Sequence, residues 1–288
     1  MFSTEHSRPL LGPDLFFVVV LRRPCYIRAM SSTARRRNRS RPARSSRTGP
    51  NLLFAPQAAR PWPSLLFLSP FLVFYTAGLI WVRPDLAAGV DLLLRRVLFL
   101  AGPAGVLAPA GLVVAVLLAW HLARRDSWRF PAALVPAMVV ETALLAVPLL
   151  ALHGLFQAFA AGPGPIELAG AGPARTDLVA AAMTSIGAGI YEELLFRLVL
   201  VGGLVFVAER VLRLARSGAV VAAVLVAAAL FAGAHTFQAP GSFTWPTFLF
   251  RTAAGVYLAA VFATRGFGIA AGVHIGFNLA VKLTLSVP

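Results

Sequence analysis

The chain has 288 residues, 58% of them hydrophobic and only 13% charged, with a mean hydropathy of +0.78. A water-soluble domain carries about a quarter charged residues and under half apolar ones, so this chain has too few polar side chains to coat a water-facing surface. Lipid must solvate most of it. The net charge of +15 would fit a nucleic-acid binder, yet eleven of the 26 basic residues fall before Asn51, against only Glu5 and Asp14. The charge therefore belongs to a tail, and no nucleic-acid partner is expected. Cys25 is the single cysteine, which excludes an intrachain disulfide and a cysteine-based zinc cluster.

Residues 1–60 are a separate zone. Residues 14–21 are apolar for too short a run to make a signal-peptide core or a span. Residues 35–47 are rich in Arg and Ser with no acid, which predicts a disordered, solvated cytoplasmic tail, or an upstream extension with Met30 nearer the true start. About 20 apolar residues suffice to cross a bilayer as a helix. Seven runs of that kind follow, at 61–82, 97–123, 130–151, 177–208, 217–237, 244–264 and 267–287. No alternating strand pattern competes with them. The expected fold is all-α: a polytopic membrane helix bundle of about seven transmembrane helices behind a disordered basic tail. It divides into a tail at 1–60, N-terminal transmembrane helices at 61–176 and a C-terminal helical unit at 177–288, with a Gly/Pro/Ala-rich connector at 162–175.

Basic residues cluster after the second run (Arg124, Arg125, Arg129), the fourth (Arg210, Arg213, Arg216) and the sixth (Arg265). With the basic tail, this places the N-terminus in the cytoplasm and the C-terminus outside. Arg83, Arg95 and Arg96 in the first loop run against that orientation. The near-exclusive use of Arg, with Lys282 the single lysine, and the high Ala content fit a GC-rich, bacterial coding sequence. The expected location is a bacterial inner membrane. Oligomeric state is not readable from the chain.

A charge at mid-bilayer costs roughly 2.5–3.5 kcal/mol on insertion scales, so intramembrane charges are functional hypotheses by default. Glu192 and Glu193 lie side by side in the fourth run, and Arg197 follows four residues after Glu193 on the same helix face. That order favours an i,i+4 ion pair. It leaves Glu192 about 100° round the helix as an unpaired carboxylate, the kind of group that general-base chemistry uses. His235 near the end of the fifth run has Phe231 one turn before it. His274 in the last run has Asn278 one turn beyond.

The set EExxxR (Glu192, Glu193, Arg197), FxxxH (Phe231, His235) and HxxxN (His274, Asn278), on successive helices and in this order, resembles the CPBP family of CAAX-protease and bacteriocin-processing membrane proteins, also called ABI. The similarity covers roughly residues 177–284. Leu198 stands where members of that family often carry Gly. The resemblance implies an intramembrane endopeptidase of mostly helical fold acting on a peptide or protein substrate in or near the bilayer. Glu192 then corresponds to the general base on a water shared with His235. Glu193 and Arg197 correspond to a supporting pair, and His274 and Asn278 to oxyanion donors. No cofactor is favoured; a zinc ion held by His235, His274 and Glu192 is the alternative, since two His and a Glu with an open position make a zinc site.

Glu141 in the third run reads as a locally bonded structural residue rather than a member of the site. His121 and His153 lie at helix ends, where His is ordinary. Arg251 either snorkels to the headgroups or faces a substrate. The five Trp residues fall near helix ends, as an aromatic belt would place them. Competing readings are a non-catalytic scaffold or bacteriocin-immunity protein of the same fold, a proton-coupled transporter using Glu192 and Glu141, and bis-His haem ligation by His235 and His274. The haem reading leaves Glu192, Glu193 and Arg197 without a role.

Overall fold

A computed structural model describes residues 53–82, 84–87, 89–97, 102–161, 177–236 and 243–284. Among them every regular element is helical and no strand forms. A helix satisfies its own backbone N–H and C=O groups, which an apolar solvent requires. A 3-10 turn, Pro56–Ala59, leads into α1 (Pro61–Trp81); α2 (Gly89–Val97), α3 (Gly102–Arg124) and α4 (Leu134–Ala161) follow. After the connector, α5 (Leu178–Glu193) continues without interruption through a π-helical stretch (Leu194–Val201) into α6 (Gly202–Arg210). The chain then forms α7 (Arg216–Thr236) and α8 (Trp245–Thr284).

Local sequence sets these boundaries. Pro61, whose fixed φ suits a first helical turn, opens α1. The Asp177 carboxylate caps α5, accepting from Val179 N at 3.0 Å and Ala180 N at 3.3 Å. Among the described residues five helices are long and apolar enough to cross a membrane: α1, α3, α4, α7 and α8. The difference from seven apolar runs arises in two places. The run at 177–208 is shared between α5, the π stretch and α6, none long enough alone. The last two runs form the single 40-residue α8, broken at Gly266, where φ is 82° and ψ 178°. Only glycine visits that backbone region freely, and an added side chain would lie 2.8 Å from Ala59 Cα.

Residues 53–60, counted with the tail in the sequence reading, join the bundle through Ala55 and Ala58, which lie in the hydrophobic core, while Leu53 and Phe54 stay exposed. The rest of the expected tail and the connector at 162–175 lie outside the described residues. Arg265 is not a loop cation either. Its Nε and Nη2 donate to Glu141, the latter at 3.0 Å, and Nη2 also donates to Ala55 O at 3.1 Å. Phe54 N completes the cluster, donating to Glu141 Oε2 at 3.2 Å. Glu141 is thus the structural residue expected, with a partner from the far end of the chain.

The short helix α2 had no counterpart in the sequence reading. It presents buried Asp91 to Tyr75 Oη at 2.9 Å, and Arg95 donates to the same carboxylate from Nε at 2.9 Å and Nη2 at 2.7 Å. Arg95 therefore counts as half of a pair, which accounts for part of its poor fit to the loop-charge pattern. His121 was expected at an interface. It is 1% exposed against Trp62 and Trp128, and neither ring nitrogen has a hydrogen-bond partner among the described residues. Trp120 beside it is also buried, whereas Trp81, Trp128 and Trp245 are exposed as a belt requires.

Candidate active site

Helix α8 packs against α4, α5 and α7, and the candidate residues come from three of these elements and the π stretch: Glu192 and Glu193 from the end of α5, Arg197 from the π stretch, His235 from the end of α7, and His274 and Asn278 from the second arm of α8. Small residues let the backbones meet. A side chain at Gly189 would lie 2.4 Å from Ile275 Cγ1 and 2.9 Å from Ile275 N, so α5 and α8 touch one turn from Glu193 and one residue from His274.

Glu193 is wholly buried and serves two partners. Arg197 Nη1 lies 3.0 Å from its Oε1 as an ion pair, and His274 Nδ1 donates to the same oxygen at 2.9 Å. Arg197, only 2% exposed, also donates from Nη2 to Gly255 O at 3.5 Å and lies 4.6 Å from the centre of the Phe231 ring. A buried guanidinium needs such company, because breaking a buried pair costs several kcal/mol, roughly 3–5. The i,i+4 pair expected from sequence is present, inside the π stretch that begins directly after Glu193.

Glu192 points elsewhere. Its Oε1 is 3.3 Å from His235 Nε2, and its Oε2 is 3.8 Å from His274 Nε2. Oε2 is buried and has no hydrogen-bond partner among the described residues. Both imidazoles are oriented from behind: His235 Nδ1 donates to Phe231 O at 2.9 Å, and His274 Nδ1 is held by Glu193. Each therefore turns Nε2 towards Glu192. A cavity of about 270 Å³ opens in front, lined by Glu192, His235, His274 and Asn278 together with Arg251 and Lys282. Leu149, Phe250 and Phe277 supply apolar wall. Glu193 and Arg197 do not reach it; they stand behind His274.

The six residues singled out in the sequence thus form one cluster, four at the cavity and two in support. On helix rise alone, with Phe267 taken as an interface residue, His274 is expected to lie shallower than Glu192. The structure puts them at one level. The turn at Gly266 is packed against Ala59 and the Glu141–Arg265 pair, so residue 267 does not start at the surface that the rise was measured from. The sequence reading gave no role to Lys282, whose Nζ donates to Thr184 Oγ1 at 2.6 Å. It read His153 as an ordinary helix-end histidine, whereas His153 lines the cavity beside Phe250 and Phe277. Position four residues after Asn278, on the His274 face, was the signal available for Lys282.

Two imidazole Nε2 atoms and a carboxylate are donors that zinc accepts. His235, His274 and Glu192 approach pairwise, but among the described residues no group of three His, Cys, Asp or Glu side chains is arranged as a metal cage.

Residues 174–280 match the family model described as Type II CAAX prenyl endopeptidase Rce1-like. The match takes in all three motifs and about a third of the chain, and it bears out for this segment the resemblance drawn from the motifs. At family level it is a match to membrane-embedded proteases. No curated protein and no solved structure matches the chain.

Proposed function

We propose that the protein is an intramembrane endopeptidase in which Glu192 activates a water against a peptide bond lying in or beside the bilayer. The observation that carries the proposal is the Glu192 carboxylate at the wall of a cavity, between two imidazoles whose orientation is fixed from behind. A carboxylate in an apolar bundle is costly unless it is hydrogen-bonded, and a water in that cavity is the smallest guest that would bond it.

In the reaction, Glu192 takes a proton from the water, shared with His235 Nε2, as the water oxygen bonds to the scissile carbonyl carbon. The carbonyl oxygen becomes an oxyanion and accepts hydrogen bonds from His274 Nε2 and the Asn278 amide. Glu193 offsets the charge His274 carries when both its nitrogens are protonated. Collapse of the intermediate breaks the C–N bond, and the proton on Glu192 passes to the departing nitrogen. The products are a carboxylic acid and an amine, and Glu192 is regenerated. A preorganised donor at such an oxyanion is typically worth ~3–4 kcal/mol.

A second reading has its own support. A histidine with Nδ1 bonded to a carboxylate or carbonyl and Nε2 free is the usual state of a metal-ligating histidine, and both histidines here are so held. His235, His274 and Glu192 would hold the ion, which would supply a water of pKa near 7.

In the membrane, the contiguous α5, π stretch and α6 cross as one span. The 40 residues of α8 rise about 60 Å as helix, enough for two crossings hinged at Gly266. On this reading the chain crosses seven times; the cytoplasmic N-terminus, the three-part organisation and the bacterial inner membrane are carried over from the loop charges and composition of the sequence. The test compares wild type and Glu192→Gln in detergent on a peptide library, with and without chelator. Cleavage by wild type alone and indifferent to chelator is the expected result. Loss with chelator moves the chemistry to a metal-bound water, and cleavage surviving Glu192→Gln removes Glu192 as base.

A further inference from the structure

The two arms of α8 are two walls of one cavity. Phe250 of the first arm and Phe277 of the second have ring centroids 5.9 Å apart, where a straight helix would separate them by about 40 Å. Phe250, Leu258, His274 and Asn278 all line the space before Glu192. The bend at Gly266 therefore sets how far the imidazole and amide of the second arm stand from Glu192 on α5. His274 lies eight residues beyond the bend, about 12 Å along the arm, so a change of about 5° there moves it by about 1 Å. The bond from His274 Nδ1 to Glu193 fixes one ring atom and does not reach Asn278, a turn further on.

The bend is clamped from outside the helices that carry the candidate site. Arg265, directly before it, donates to Glu141 on α4 from Nε and Nη2, and to Ala55 O from Nη2 at 3.1 Å. Its guanidinium lies 5.6 Å from the centre of the Phe54 ring. Ala59 packs on Gly266, and just past the bend Gly268 N donates to Ser64 Oγ at 3.2 Å. Phe54 takes its place at φ 57°, a left-handed conformation that a bulky residue rarely adopts and keeps only where its surroundings over-determine it. Its side chain is 48% exposed, so burial does not account for that conformation; the contacts with Arg265 and Glu141 do.

We infer that Arg265 is a positioning residue: gripped by the strap at residues 54–60 and by Glu141, it fixes the angle of the α8 bend and so the distance of His274 and Asn278 from Glu192. Its effect on turnover rests on the protease reading, where a misplacement of about 1 Å remote from the chemistry can cost about 10²-fold in rate. Its effect on the bend does not.

The test uses the full chain in detergent on a Cys25→Ser background, with spin labels at Leu249→Cys and Leu283→Cys, exposed positions near the free ends of the two arms. Double electron–electron resonance then reads the distance between the arms. Wild type should give one narrow distribution, and Arg265→Gln and Phe54→Gly a broader, displaced one. Arg265→Lys should recover part of it, since the charge returns without the fork that reaches Glu141 and Ala55 O together. Glycine suits φ 57° and keeps the N–H, so Phe54→Gly should unfold near the wild-type temperature and decides where Arg265→Gln does not fold. Without labels, on a peptide that wild type cuts, kcat should fall about 10–100-fold in Arg265→Gln and several-fold in Phe54→Gly, with KM within about twofold. A purely structural role would move unfolding alone. Arms unmoved in both variants overturn the inference, as do moved arms with kcat unaltered or a rise in KM matching the fall in kcat. Wild type that cuts no peptide removes the protease reading, and the distances alone then decide the clamp; cutting that depends on Glu192, with arms that never move, does the reverse.

Discussion

Glu141 and Glu192 are both carboxylates on apolar helices, 1% and 8% exposed, yet their surroundings have little in common. Both oxygens of Glu141 accept hydrogen bonds, from Arg265 and from Phe54 N, and no cavity reaches them among those described. Glu192 has each oxygen near an imidazole, at 3.3 and 3.8 Å, and lines a cavity of about 270 Å³. Burial of a charge is therefore not by itself the mark of a site. The mark is a buried charge that also lines a cavity, with fewer hydrogen bonds than it can accept.

The comparison is broken or sharpened most sharply at Glu192. Glu192→Gln should lower cleavage by about 10⁴-fold, the upper range for loss of a general base, with thermal unfolding in detergent unchanged. A fall of many degrees in Tm would make Glu192 as structural as Glu141. Glu141→Leu should do the opposite and cost about 1–3 kcal/mol in denaturant unfolding, because half-buried Arg265 keeps only Ala55 O and Phe54 N loses its acceptor. Glu141→Leu with Arg265→Leu should regain most of that, and an unaltered single variant would erase the distinction between the two clusters. Asn278→Ala should reduce kcat by about 10²–10³ with little change in KM or unfolding, if it bonds the oxyanion. Equal loss in KM would place it in ground-state binding instead. Smallest is Tyr75→Phe, which removes one neutral donor from Asp91 and should cost about 0.5–1.5 kcal/mol, with cleavage intact.

The helices were legible because lipid imposes a single solution on an apolar run, and the site because its charged residues stand out against that background. Glu193 and Arg197 announced their pairing by spacing alone. What was not legible depended on contacts between distant segments. Nothing local to Glu141 names Arg265, 124 residues away, as its partner, and Arg265 looked like an ordinary loop cation until the turn at Gly266 drew it inward. Helix α2 was missed because its nine residues are too few and too mixed to read as a span, and its buried Asp91 is satisfied by Tyr75 on another helix. Arg251 and Lys282 carried no motif; only the packing of α8 along α5 and α4 shows that they share a cavity with Glu192.

The π stretch at Leu194–Val201 has a consequence for how this sequence can change. A π segment fits more residues into each turn than an α-helix, so it behaves as a stored insertion. Deleting one residue there would let the segment relax to ordinary helix while leaving Glu192 and Glu193 where they are. The helix beyond the stretch would keep its phase, and Arg197, if it lies beyond the cut, would fall three rather than four residues after Glu193. Loss of a single codon before Arg197, with no chemical group of the cavity altered, would therefore change the spacing of the ion pair behind His274 while Glu193 still holds the imidazole.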